Sequence, residues 1–401
     1  MASSALRILQ MVQTLDPRVG GVAPAVLALS RGLSRRGQKV DIVTLDDTSA
    51  VAGVADADPE STNAAADLTF HALGRGLTSY RYSANLTKWL RQHGNDYDRV
   101  IVNGLWQYLS FAAWRRFGGT STPYYVFPHG MLDPWFKTTF PLKHLKKWLY
   151  WPWADYRVLR DATAVVFTSE EERLQARQSF WLYRCREKVS PLGIEAPPPV
   201  SSQAKEEFLI RYPALRNRKA LLFLGRLHPK KGCDLLMDAF SRFAKTEAAI
   251  SLVLAGPDQI GWERELRARA GRLGIASHVV FTGMLQGELK QAALASADAL
   301  VLPSHQENFG MSVVEALAAG LPVLISNRVN IWREVVEDGA GYVENDDLAG
   351  TTRLIERWIN ASPAEHETVR TNAQKCFAHR FEIDHAIDSL LSILNEPRVV
   401  A

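Results

Sequence analysis

Only three cysteines, Cys185, Cys233 and Cys376, occur in the 401 residues. They are too few and too widely spaced for a disulfide framework or a Cys-based metal site, and their scarcity fits a reducing, cytoplasmic compartment. Long apolar runs are missing as well. No stretch approaches the roughly 18 residues of a spanning helix, and the apolar run in the N-terminal MASSALRILQMVQ is too short for a signal peptide. Any membrane contact is therefore expected to be peripheral, at the inner face. Strong net charge is lacking too: a formal +4 is too small to call for a nucleic-acid partner. No GxGxxG fingerprint occurs, so a nicotinamide cofactor is not supported, and neither a cofactor nor a metal is expected.

What remains, 47% hydrophobic and 22% charged residues, is a globular chain long enough for two domains. Its charge is uneven: residues 1–195 hold 24 Lys and Arg against 18 Asp and Glu, leaving 23 against 25 in the rest. Either the first half meets something anionic or it carries a solvated basic face. Short β-rich runs at 7–12, 39–44, 68–73, 99–103, 124–127, 164–168 and 188–190 alternate with segments that can hold a helix, the pattern of a parallel, doubly wound sheet. Residues 49–67, rich in Ala, Asp, Ser and Thr, read as a long surface loop. Residues 191–203, PLGIEAPPPVSSQ, read as a proline-stiffened linker. The pattern then restarts with strands at 220–224, 251–255, 279–282, 299–302 and 323–325, and a helix over 381–395 closes the chain.

Four stretches carry chemistry. Gly20 and Gly21 follow the first strand and precede a helix striped with Val26, Leu29 and Leu33; paired glycines let backbone amides approach a ligand, or merely make a turn. His129 follows the fifth strand in FPHGMLDPW, flanked by Pro128 and Gly130. GRLHPKKG places Arg226 and Lys231, five apart with Gly232 behind, after the strand at 220–224, a run that is weakly specific by itself. The fourth is PSHQENFGMSVVEALAAG, residues 303–320, a strand, a polar loop and a helix in succession, with Gly320 as the stop. Such a loop at the carboxyl end of a parallel strand faces a ligand, and the amides opening the next helix favour an anion there. Glu307 lies in the loop and Glu315 about one turn inside the helix, so the two can hold different parts of one ligand.

Glu307 and Glu315 in ENFGMSVVE resemble the paired glutamates of the retaining GT-B glycosyltransferases of glycosyltransferase family 4, and the other three stretches fall in register with that family over nearly the whole chain. The resemblance implies an α/β GT-B fold: two Rossmann-like domains with parallel sheets facing a central cleft. The acceptor-binding domain would span 1–192, with a C-terminal helix at about 379–401 packing back on it, and the donor-binding domain 193–378. It implies transfer of a hexose from a nucleotide-sugar donor to a hydroxyl of a glycan or lipid-linked sugar acceptor, without metal, in polysaccharide or glycoconjugate assembly. By resemblance His129, Arg226, Lys231 and Glu307 are catalytic. Gly20, Gly21, Asn308, Phe309, Gly310 and Glu315 bind the donor, and Trp106, Tyr108, Asp133 and Trp135 line the acceptor side. Asn308 departs from the small residue common after the first glutamate, which leaves donor-sugar recognition open. An epimerase or phosphorylase on the same fold, or an inactive binding scaffold, are the alternatives. The seven residues Gly20, Gly21, His129, Arg226, Lys231, Glu307 and Glu315 together speak against a scaffold.

Two readings stay open. Trp106, Tyr108 and Trp135 either stack on a sugar or are buried aromatics. KHLKKWLYWPW, 143–153, joins Lys143, His144, Lys146 and Lys147 to four aromatic rings, a mixture suited to peripheral contact with an anionic membrane. Alternatively it is a helix that packs Leu145, Trp148 and Leu149 inward. Ser169 and Glu172 in TSEEE read as a capping box with no further role.

Overall fold

A computed structural model describes residues 5–56, 68–139, 141–245 and 250–397. The chain divides into two compact units, Met1–Glu195 with Ile383–Ala401, and Ala196–Glu382. In the first unit seven strands, β1 Arg7–Val12, β2 Lys39–Thr44, β3 Leu68–Ala72, β4 Arg99–Asn103, β5 Tyr124–Phe127, β6 Ala164–Phe167 and β7 Glu187–Val189, form one sheet. Its order is β3-β2-β1-β4-β5-β6-β7, and every pairing is parallel. Helices cover both faces of such a sheet, so its strands need apolar residues on both sides. β5 and β6 are accordingly buried at every position.

The second unit repeats the plan with six strands, β8 Lys219–Leu224, β9 Ile250–Ala255, β10 Val279–Gly283, β11 Ala299–Leu302, β12 Val323–Ser326 and β13 Gly341–Glu344. They run β10-β9-β8-β11-β12-β13, again all parallel. Strand order therefore reverses between β1 and β4 in one unit and between β8 and β11 in the other. These are the switch points outside which ligands bind, at the carboxyl ends of the strands. Each sheet places its candidate loops there: Gly20–Gly21 follows β1 and His129 follows β5, while Arg226 follows β8 and Glu307 follows β11.

The last helix, Ile383–Leu394, belongs to the first unit. It lies against the helix Val22–Arg35 at Gly32, where a Cβ would come within 2.7 Å of Ile387 Cδ1 and would push that side chain aside. Arg36 meets Asp388 at 2.6 Å, and the Leu394 carbonyl accepts from Arg99 Nε at 2.7 Å.

Two expectations need correction. Thr48–Asp56 is a helix, not part of a loop, and 57–67 lie outside the described residues. The stretch is alanine-rich, and alanine's helix propensity outweighs the turn-forming Ser, Thr and Asp around it. β13 is a strand that the alternation does not mark: GYVE is only four residues long.

Candidate active site

In the second unit three loops meet at the carboxyl ends of β8, β11 and β12. The His305 N–H donates to the Lys230 carbonyl at 2.8 Å, tying the β11 loop to the β8 loop. The Glu307 N–H donates to the Arg328 carbonyl at 2.9 Å and the Glu307 carbonyl accepts from Asn330 N–H at 3.0 Å, tying it to the β12 loop. Two glycines make the crossing possible. Gly232, at φ +70°, would put a Cβ 2.4 Å from the Pro303 carbonyl oxygen, and Gly310, at φ +81°, would crowd Val329 at 3.0 Å. Both open helices, Cys233–Ala244 and Met311–Ala318, with no side chain capping the first amides. By contrast Ser201, Asp347 and Ser362 cap their own helices. Uncapped amides at a helix start suit an anion.

At the centre the Lys231 ammonium pairs with the Glu307 carboxylate, the two side chains only 15% and 19% exposed. Burial, with Lys230 and Arg226 alongside, pushes Lys231 down to about 7, and the Glu307 carboxylate in contact with it favours the charged form. Arg226 is exposed, its Nη1 reaching Gln259 Oε1 at 3.3 Å. Glu315 pairs with Lys290 at 3.0 Å, a partner from the Gly287–Ser296 helix that nothing in the sequence singles out. Phe309 points away from this rim: it is 3% exposed and meets Phe381 edge-on at 5.7 Å, which anchors the Asn308–Gly310 turn.

In the first unit Gly20, at φ +152°, and Gly21 open the helix Val22–Arg35, again without a side-chain cap. Gly20 lines a pocket of about 180 Å³ with Gln13, Thr14, Asp16, Asn103 and Gln107. A larger pocket of about 450 Å³, lined by Arg99, Pro123 and Tyr125 among others, sits at the amino ends of β4 and β5, away from these loops. His129 has a positive φ of 50°, stacks on Phe127 at 5.7 Å and places Nε2 2.9 Å from Asn103 Oδ1. Burial pushes its imidazole down to about 4, so the ring is neutral near pH 7.

Glu172 does more than cap. Its N–H donates to Ser169 Oγ at 3.1 Å, and its carboxylate reaches back to accept from Thr168 N–H and Oγ1 at 2.6 and 2.7 Å and across to accept from Gly130 N–H. It thereby fixes the residue after His129.

Of the aromatic candidates, Trp106 takes the buried course. Its indole donates to the Met131 carbonyl at 3.0 Å. The ring lies among Trp151 at 5.6 Å and Phe180 at 5.3 Å, with Lys147 Nζ 4.4 Å from its centroid. Asp155, fully buried, accepts the Trp106 N–H at 3.1 Å and Ser110 Oγ at 3.2 Å. Tyr108 joins Tyr80 and Tyr82 and hydrogen-bonds Thr87. Asp133 caps a short helix by accepting from Trp135 N–H at 2.8 Å, and Trp135 meets Phe136 edge-on.

The helix Pro141–Tyr150 buries none of its residues. Leu142, Leu145 and Leu149 are 80%, 54% and 61% exposed, with Trp148, Trp153 and Trp181 open beside them, which overturns the inward-packing reading. The inward face is instead Lys147 over Trp106 and His144 stacked on Phe180 at 5.0 Å. Among the described residues no helix is long and apolar enough to cross a membrane, and no group of three or more His, Cys, Asp or Glu is placed to hold a metal ion.

Residues 205–375 match the family model of glycosyl transferases group 1, and residues 20–193 that of a glycosyl transferase 4-like domain. A phosphatidyl-myo-inositol mannosyltransferase of Mycobacterium leprae is 37% identical over 142 residues, 35% of this chain and 36% of that protein. The match therefore spans little over a third of that relative's length. The O-antigen chain mannosyltransferase C of Escherichia coli is 24% identical over 97% of this chain and 98% of its own. In fold, the chain is similar to HepE of Anabaena in complex with UDP and glucose, with a TM-score of 0.74, 17% identity and coverage of 98% and 100%.

Burial pushes the Asp155 carboxyl up to about 7, far above the roughly 3.9 of an unfolded aspartate. Between about pH 4 and 7 the folded state holds a proton that the unfolded state has released, so this residue's contribution to stability falls as pH rises through that window. Asp155→Asn keeps an acceptor oxygen and does not titrate. In urea unfolding the variant should gain on the wild type by on the order of 2–4 kcal/mol from about pH 4 to 8. A difference that stays constant with pH would contradict this.

Proposed function

The chain belongs to the group 1 glycosyltransferases and has the GT-B fold, and on that premise we propose that it moves a hexose from a nucleotide diphosphate sugar to a hydroxyl of a glycan or lipid-linked acceptor, retaining anomeric configuration without a metal. The observation that carries this reading is the buried Lys231–Glu307 pair between two uncapped helix starts. A nucleoside diphosphate leaving group gains negative charge as the glycosidic bond breaks, and fixed cations and amide dipoles already in place stabilise it. When the donor enters, its diphosphate takes over Lys231, with Arg226 as second cation, and Glu307 is released to accept from sugar hydroxyls. Glu315, seated by Lys290, accepts from the ribose hydroxyls. The first unit holds the acceptor beside His129. Transfer runs on the front face, the leaving phosphate oxygen taking the acceptor's proton as the new glycosidic bond forms. The names of the two mannosyltransferase relatives support a hexose donor and a glycan or lipid-linked acceptor.

The roles separate kinetically. Lys231→Ala and Arg226→Ala should each lower kcat by roughly 2–4 kcal/mol of barrier, because the charge they stabilise grows in the transition state. Glu315→Ala should instead weaken nucleoside diphosphate binding by about tenfold or more, read by calorimetry. Unchanged affinity in that variant would remove the ribose assignment.

The exposed leucines and tryptophans of 142–153 and Trp181, together with exposed Lys143 and Lys146, fit an anionic bilayer surface at the inner face of a membrane, where a lipid-linked acceptor resides. Each lysine contributes about 1 kcal/mol near such a surface, so binding is weak and salt-sensitive unless the apolar side chains insert. A Leu145→Ser, Leu149→Ser variant and a Lys143→Glu, Lys146→Glu variant, both checked for folding, should each lose cosedimentation with anionic vesicles. Wild-type protein that ignores vesicle charge, or fails to sediment at low salt, would point to a soluble acceptor.

A further inference from the structure

The protonation of His129 is set by a neighbour that the sequence does not single out. Asn103 ends β4 and His129 follows β5, the strand beside it. The Asn103 side-chain amide has two ends. Nδ2 lies 3.2 Å from the backbone carbonyl of Met11 and 2.9 Å from Gln10 Oε1. A backbone carbonyl only accepts, so the atom facing it is the NH₂ group, and the atom 2.9 Å from His129 Nε2 is the amide oxygen. That oxygen also only accepts. The imidazole therefore donates from Nε2, and in a neutral ring the remaining nitrogen, Nδ1, carries a lone pair. Among the described residues no group hydrogen-bonds Nδ1.

We infer that Asn103 is a positioning residue that holds His129 as its Nε2–H tautomer, so that His129 offers Nδ1 to the ligand as an acceptor and selects a hydroxyl over a phosphate oxygen. A phosphate oxygen brings only lone pairs and is repelled by Nδ1, whereas a hydroxyl donates to it. That the hydroxyl belongs to a sugar rests on the transferase reading; the tautomer does not. The surroundings hold the ring in this state. Phe127 stacks on it, and Glu172, on the adjacent helix Glu170–Ala176, commits its carboxylate to Gly130 and Thr168. Asp16 is the acid of the pocket that Asn103 also lines. Burial, with no charged neighbour contributing, depresses the imidazole to about 4.

The test is a two-bond ¹H–¹⁵N correlation spectrum of the protein labelled at histidine nitrogens, with His129 assigned by its disappearance in His129→Gln. The expected result is a protonated Nε2 and an unprotonated Nδ1, unchanged from about pH 5.5 to 9. A ring carrying its proton on Nδ1, or doubly protonated in that range, would overturn the inference. Asn103→Asp adds a second arm. A carboxylate at Nε2 favours the imidazolium, so His129 in this variant should titrate within the same range, and its Nδ1 should become a donor as pH falls. Turnover should then drop about tenfold per pH unit below the new pKa, while the wild type shows no such limb. A folded Asn103→Asp protein whose His129 spectrum matches the wild type would reduce Asn103 to packing. Should the variant not fold, the unaltered protein's spectrum decides. Neither spectrum depends on activity, so a failed transferase assay leaves the tautomer question answered.

Discussion

A lysine buried without a counter-charge loses its proton; keeping Lys231 charged is the constraint on which the second unit depends. Its side chain is only 15% exposed, and burial, with the neighbouring Lys230 and Arg226 charges, drives it toward neutrality. Glu307 supplies the opposing charge, and delivering that carboxylate requires the β11 loop to be strapped to the loops after β8 and β12 by backbone hydrogen bonds. Gly232 follows from the same requirement, since a Cβ there would run into the Pro303 carbonyl, and Gly310 sits at a positive φ where a Cβ would crowd Val329. Breaking a buried pair by deleting one partner is costly, whereas exchanging one anion for another keeps the cation satisfied. The diphosphate of the proposed donor, arriving at Lys231, would be such an exchange.

The first unit solves a different problem, holding a neutral histidine in one orientation. His129 sits at a positive φ, a conformation that needs its surroundings to impose it. Asn103 fixes the ring and Glu172 fixes the following amide, and the aromatic wall of Trp106, Trp151 and Phe180 stands on a buried Asp155 with Lys147 over the outer ring. Lys147 is thereby withdrawn from the basic face of its helix, which leaves Lys143 and Lys146 with the exposed leucines.

The strands and the loops behind them are legible because two periods coincide: apolar runs of strand length, each ended by a glycine, proline or polar residue, alternate with helix-length segments. That was enough to place twelve of the thirteen strands and to put Gly20, His129, Lys231 and Glu307 on carboxyl-end loops. What stayed hidden were partners brought from other elements. Asn103 looks like the end of a strand, Lys290 like a helix-surface charge, and Glu172 like a capping-box acid whose carboxylate turns out to cross to Gly130. Trp106 and the 143–153 stretch show the same limit from the other side. An aromatic residue after a strand does not reveal which neighbour covers its face, and here that cover is the one lysine of the helix that turns inward.

The central claim is that fixed cations and helix amides carry the leaving diphosphate, so that transfer needs no metal and proceeds on one face of the sugar. The direct measurement is proton NMR of the product formed in EDTA from a nucleotide diphosphate hexose and an accepting glycan or lipid-linked sugar. The anomeric signal should show the donor's configuration, at a rate unchanged by the chelator. An inverted anomer, or activity that disappears with EDTA and returns with a divalent ion, would contradict the account.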